Sequence, residues 1–167
     1  MFAQHILQLK RKRKRQLKID VLGLEEEADQ ALPSEEDLCL FLNKVLQHPI
    51  FSSISSDAIL SIAFLNEETI KSINAVYRDK AESTDVLSFN IDESTPEGFL
   101  WGEILISPSK AYQNAQKKSC SLKEEIYFLL IHGLLHLKGF DHQDLEQCKQ
   151  MQNFEDLLLN FTYRGEN

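Results

Sequence analysis

Three of the chain's five histidines fall within eleven residues, in the stretch "IHGLLHLKGFDH" (131–142): His132, His136 and His142. On a helix, positions four apart project from one face with about 6 Å between Cβ atoms. His132 and His136 have that spacing, so both imidazoles can reach one metal ion. Gly139 breaks the helix one turn later, and the chain can fold back to bring His142 to the same ion. The pattern H-x3-H-x2-G-x2-H supplies three nitrogen ligands and leaves a fourth position open, as in a catalytic rather than a structural zinc site. The ligand set alone would also take nickel, cobalt or copper. The competing reading is three unrelated polar residues on a core helix. It leaves imidazoles among Ile131, Leu134, Leu135 and Leu137 without partners, which burial penalises.

The residue after the first histidine is Gly133, where an H-E-x-x-H protease carries the glutamate that takes a proton from metal-bound water. Either a base comes from elsewhere, or the bound water, with its pKa lowered toward about 7, needs little help. The missing side chain disfavours peptide hydrolysis and is expected to leave room for a bulkier substrate. Asp141 and Asp144 are candidate carboxylates for orienting a ligand ring. Each could equally be a turn or cap residue, and for Asp144 the cap is preferred.

A second stretch, "NAVYRDKAESTDVLSF" (74–89), places Arg78 at the end of a helix and a polar "STD" before an apolar strand. An arginine near a metal suits a phosphate substrate, because its fork binds phosphate oxygens and stabilises developing charge. The plain alternative is a surface arginine closing a helix, an end that favours cations.

The elements that must position these residues follow from patterning. "QLKIDVLGL" (16–24) reads as a first strand, with "HILQLK" as a weaker competitor, followed by an acidic connection (25–36). Ser34 opens a helix as N-cap with Asp37 at N3; Leu38, Phe41, Leu42, Val45 and Leu46 share one face, and the helix stops before Pro49. Residues 58–66 read as a buried strand, and Asn66 caps a helix over 67–78 that buries Ile70, Ile73, Ala75 and Tyr77. Strands over 84–91 and 99–107 are joined by the seven-residue link "DESTPEG". A short amphipathic helix covers 107–118. Ser121 and Glu124 form a capping box before the histidine helix, and Gly139 ends that helix in the left-handed conformation. Asp144 starts a last helix, with Leu145, Cys148, Met151, Phe154, Leu158 and Phe161 at helical spacing. Written as β-α-β-α-β-β-α-α, this order predicts an α+β fold: a mixed four-stranded sheet packed against helices, with a zincin-like metal helix.

At 167 residues, the chain reads as a single domain over 1–167, able to bury roughly two thirds of its unfolded surface. No run of about 18 apolar residues predicts a membrane span. The first residues set charges after a short apolar run, unlike a secretory signal, so a cytoplasmic protein is expected. Cys39, Cys120 and Cys148 are odd in number and lack C-x-x-C spacing, against a disulfide framework or a thiolate zinc site. Cys148 reads as a small buried hydrophobe; His5 and His48 read as surface residues. The net charge of −8 hides an asymmetry. "KRKRKR" (10–15) holds six of the eighteen Lys and Arg, and the 152 residues after it carry a balance of −14. Contact with a polyanion must therefore be local. The block reads as a solvated like-charge run or, more sharply, as an rRNA-docking arm.

"HGLLHLKGFDH" resembles the signature H-G-x-L-H-L-x-G-Y-D-H of the YbeY family of endoribonucleases, also called rRNA maturation factors, with Phe140 in place of the usual Tyr. "YRDKAESTDVLSF" is similar to that family's second motif, an Arg followed by T-[DN]-V-L-S-F. "WGEILIS" resembles its L-G-D-I-x-I-S strand, with Glu103 for Asp. The resemblance runs from about Asp57 to Gln152, and residues 1–30 show no clear match. It implies a Zn²⁺-dependent, single-strand-specific endoribonuclease acting on ribosomal RNA, including 3′-end maturation of the small-subunit (16S) rRNA, and in ribosome quality control. It also implies metal ligation by His132, His136 and His142 and a functional role for Arg78. Thr84, Asp85 and Ser88 then become candidates for shaping the pocket, or simply cap the strand. Two rivals stand beside this reading: a metal-dependent protease or amidohydrolase, and a non-catalytic ribosome assembly factor with structural zinc. The pattern leaves the general base and the oligomeric state open.

Overall fold

The computed structural model describes residues 18–23, 32–78, 82–142 and 144–163. The block at 10–15, His5, the strand competitor "HILQLK" and most of the acidic connection lie outside them. The elements run β1 (Lys18–Leu22), α1 (Glu35–Val45), a 3₁₀ turn (Pro49–Phe51), β2 (Ala58–Phe64), α2 (Glu67–Arg78), β3 (Val86–Thr95), β4 (Gly98–Ile106), α3 (Pro108–Lys118), α4 (Leu122–Leu137) and α5 (Leu145–Tyr163). The fold is α+β with one mixed four-stranded sheet. Its C-terminal third holds three helices; the short amphipathic helix expected over 107–118 forms as Pro108–Lys118, and the order β-α-β-α-β-β-α-α is one helix short because it leaves that helix out.

The sheet order is β1-β2-β4-β3. β1 and β4 flank β2 in parallel, and β3 returns antiparallel to β4. Period-2 alternation divides the strands between two faces. Leu60, Ile62, Phe64, Ile104 and Ile106 point into the main core with α1, α4 and α5. Ala63, Leu87 and Leu105 point the other way and meet Ile70 of α2. The β3–β4 connection is tighter than the expected seven-residue link. Thr95 pairs with Gly98, leaving only Pro96 and Glu97 in the turn, and the ladder shifts register between Asn90 and Glu93, where Asp92 has φ 51°. The polar stretch 92–95 is strand, exposed at 92–94 and half-buried at Thr95, so no buried face marks it in the sequence.

Local signals set the helix ends. The Ser34 side chain accepts from the Asp37 N–H at 3.1 Å, and the Asn66 side chain accepts from the Thr69 N–H at 2.8 Å. Asp144 accepts from the N–H groups of Glu146 and Gln147 at 2.9 and 2.8 Å. These bonds satisfy donors that a helix start leaves unpaired. Three side chains expected inside lie outside: Tyr77 is 70 % exposed, Leu145 82 % and Phe161 38 %. Each sits in the first or last turn of its helix, where the apolar stripe outruns the core. His48 is half-buried; its Nδ1 accepts from the Ile50 N–H at 3.3 Å and caps the 3₁₀ turn.

Two glycines set the distance between α4 and the sheet. A Cβ on Gly102 of β4 would lie 2.8 Å from the Leu137 methyls of α4. A Cβ on Gly133 of α4 would lie 2.9 Å from Ile104 Cδ1 and 3.0 Å from Ser88 Oγ. Ser88 thus meets α4 at Gly133, while Asn90 donates to the Leu137 carbonyl at 3.0 Å. Two strand residues advance about 6.6 Å and four helix residues about 6 Å, so β3 tracks the helix over this turn. Close packing is the job of the bare Gly133 position; the space it leaves is taken by the sheet and not by a substrate.

Candidate metal centre

The capping box at the start of α4 is formed: the Ser121 hydroxyl accepts from the Glu124 N–H at 3.2 Å, and Glu124 Oε2 accepts from the Ser121 N–H at 2.8 Å. At the other end, Gly139 has φ 89°. Its N–H donates to His136 O at 2.8 Å, and the Phe140 N–H reaches back to Leu135 O at 3.0 Å. This Schellman closure turns the chain sharply. Asp141 Oδ1 accepts from the His142 N–H at 2.8 Å, shaping the loop that follows. Asp144 serves as the cap of α5.

His132, His136 and His142 converge. One ring nitrogen from each lies within 4.8 Å of the others, so the group can hold a metal ion. His132 Nε2 and His136 Nε2 are 3.1 Å apart. Tetrahedral coordination at a Zn–N distance of about 2.0–2.1 Å requires neighbouring ligands about 3.3 Å apart, so the helical pair fits. His142, on the exposed loop, closes the triangle more widely. The donor set is all imidazole, which suits borderline transition metals over calcium or magnesium.

The cluster opens on a cavity of about 250 Å³ whose walls include Asp85, Phe128, His132, His142, Cys148 and Glu155. Asp85 approaches from the start of β3. Its Oδ2 accepts from Asn114 Nδ2 of α3 at 2.8 Å, and Thr84 Oγ1 lies 3.4 Å from Oδ1. Ser88 sits three residues beyond Asp85, against Gly133. Arg78 closes α2; its side chain lies outside the described residues. Cys148 is half-buried on the cavity wall, with its thiol 3.2 Å from the His142 carbonyl, rather than fully buried.

Sequence reasoning missed Glu155. Its Oε1 lies 2.7 Å from His132 Nδ1, and the residue is 7 % exposed. A signal was present: Glu155 follows Met151 by four residues and precedes Leu158 by three, on the face of α5 that points inward. An acid at a core position needs a partner.

The family model for endoribonuclease YbeY matches residues 7–162. The chain belongs to this family. The match begins far upstream of Asp57, where the motif resemblance starts, and takes in most of the first thirty residues. Among relatives, the endoribonuclease YbeY of Staphylococcus saprophyticus is 39% identical over 114 residues, covering 65% of this chain and 74% of its own. Those of Lysinibacillus sphaericus (37%, covering 71% and 82%) and Staphylococcus aureus (38%, covering 75% and 82%) are similar. The solution structure of TM1509 from Thermotoga maritima matches with a TM-score of 0.55 at 25% identity, over 88% of this chain and 90% of that one. By family, the protein is a hydrolytic endoribonuclease. No helix among the described residues is long and apolar enough to cross a membrane.

Proposed function

We propose that the protein is a zinc-dependent endoribonuclease specific for single-stranded RNA, acting in the cytoplasm on ribosomal RNA, including 3′-end maturation of the small-subunit rRNA, and in ribosome quality control. The observation that carries this is the three-histidine cluster, open to a cavity, in a member of the endoribonuclease YbeY family. His132, His136 and His142 would hold Zn²⁺. When bound, the ion supplies Lewis acidity toward a phosphate oxygen and lowers the pKa of water. Arg78 binds the phosphate and stabilises its developing charge. Asp85, steadied by Asn114, shapes the cavity wall on the β3 side.

The protease rival meets two obstacles at Gly133: the position carries no base, and a side chain there would have to displace Ile104 and Ser88, which already crowd a Cβ. The assembly-factor rival needs a closed four-ligand shell; the cluster formed by the described residues has three ligands. His136→Ala should lose both bound zinc and cleavage of a single-stranded RNA. Full activity in zinc-free protein would sink the proposal. Arg78→Glu should abolish cleavage and keep zinc; lost zinc would make Arg78 structural.

A further inference from the structure

Helix α5 supplies none of the three cluster histidines, yet it braces two of them. Near its start, the Cys148 thiol reaches the His142 carbonyl at 3.2 Å. Two turns on, Glu155 Oε1 lies 2.7 Å from His132 Nδ1. Glu155 is buried between Met151 and Leu158, both core residues. A carboxylate taken out of water there is costly unless it is hydrogen-bonded, and the His132 ring provides the bond.

We propose that Glu155 is a positioning residue that fixes the ring orientation and tautomer of His132. This rests on the reading that the cluster holds a metal. An ionised carboxylate only accepts hydrogen bonds, so Nδ1 must carry the proton it donates. Nε2 is then left with its lone pair, and Nε2 is the atom that lies 3.1 Å from His136 Nε2. Without Glu155, the ring can rotate or carry its proton on Nε2, and either change removes a ligand. Partners of this kind commonly contribute 10–100-fold in metal affinity.

The test measures Zn²⁺ affinity by competition with a chromophoric chelator, beside the melting temperature of the EDTA-treated protein, in the parent, Glu155→Ala, Glu155→Gln and Leu158→Val. Glu155→Ala should bind zinc about 10–100-fold more weakly. Glu155→Gln, which keeps an acceptor but not the charge, should fall between it and the parent. Leu158→Val, a core truncation on the same helix, should lower the melting temperature and leave zinc affinity at the parental value. Parental affinity in both Glu155 variants overturns the proposal. So does affinity that merely follows melting temperature across all three variants. A parent that binds no zinc, nickel, cobalt or copper overturns the metal reading itself, a result separate from either of those.

Discussion

Gly133 shows how one position can be misjudged from chemistry alone. Its lack of a side chain reads as a missing catalytic base, and that much holds. Its cause is steric: Ile104 Cδ1, Ser88 Oγ and Ile104 Cγ2 lie 2.9, 3.0 and 3.1 Å from where a Cβ would stand. Gly133→Ala should therefore destabilise the protein. Overpacking costs about 1–3 kcal/mol, against a gain of about 1 kcal/mol from helix propensity. The net loss of up to about 2 kcal/mol is measurable by urea unfolding. Adding Ile104→Val removes the closest atom, so the double variant should recover part of that loss, a coupling a double-mutant cycle reads directly. Additive effects would mean that α4 simply moves. The histidines were legible because ligand spacing is local. For Glu155, its helical face marks an inward position, but its partner was not legible, because His132 lies 23 residues away and no local pattern joins them.

At the scale of elements, the ends of helices were more legible than the ends of strands. Caps are written in three or four adjacent residues, and Ser34, Asn66, Ser121, Gly139 and Asp144 all act where expected. The β3–β4 hairpin is tighter than the sequence suggests because residues 92–95 are polar, 92–94 are exposed, and the stretch lacks the alternation that burial imposes. The capping box on α4 makes a quantitative claim. Ser121→Ala should cost about 1 kcal/mol at neutral pH, as seen by thermal or chemical unfolding. Hydrogen bonds from the Ser121 hydroxyl and backbone hold the Glu124 carboxyl below its ordinary value of 4.5. A depressed carboxyl stabilises the fold fully above that ordinary value and loses its contribution as pH falls through the lowered one. The gap between parent and Ser121→Ala should thus narrow below pH 4.5, and a gap that widens in acid would contradict the box.

For the whole molecule, alternation and order were enough to predict a mixed sheet and α+β class, while the strand order β1-β2-β4-β3 depends on long-range pairing that no single segment encodes. Charge poses the larger problem. An RNA enzyme with a net charge of −8 must overcome repulsion of its own substrate. The imbalance is sharper beyond residue 15, where the balance is −14. Its six-residue cationic block at 10–15 is the densest source of attraction in the sequence. If that block docks on RNA, replacing all six residues with serine should weaken binding and flatten its salt dependence. Each single-strand phosphate contact contributes about 0.7 to the slope of log affinity against log salt, so full engagement predicts a change of about 4. Fluorescence anisotropy of a labelled single-stranded ribosomal RNA fragment across a salt series measures that slope. An unchanged slope would mean that the block makes no phosphate contacts, and that recognition rests on Arg78 and the cavity walls within an otherwise repulsive surface.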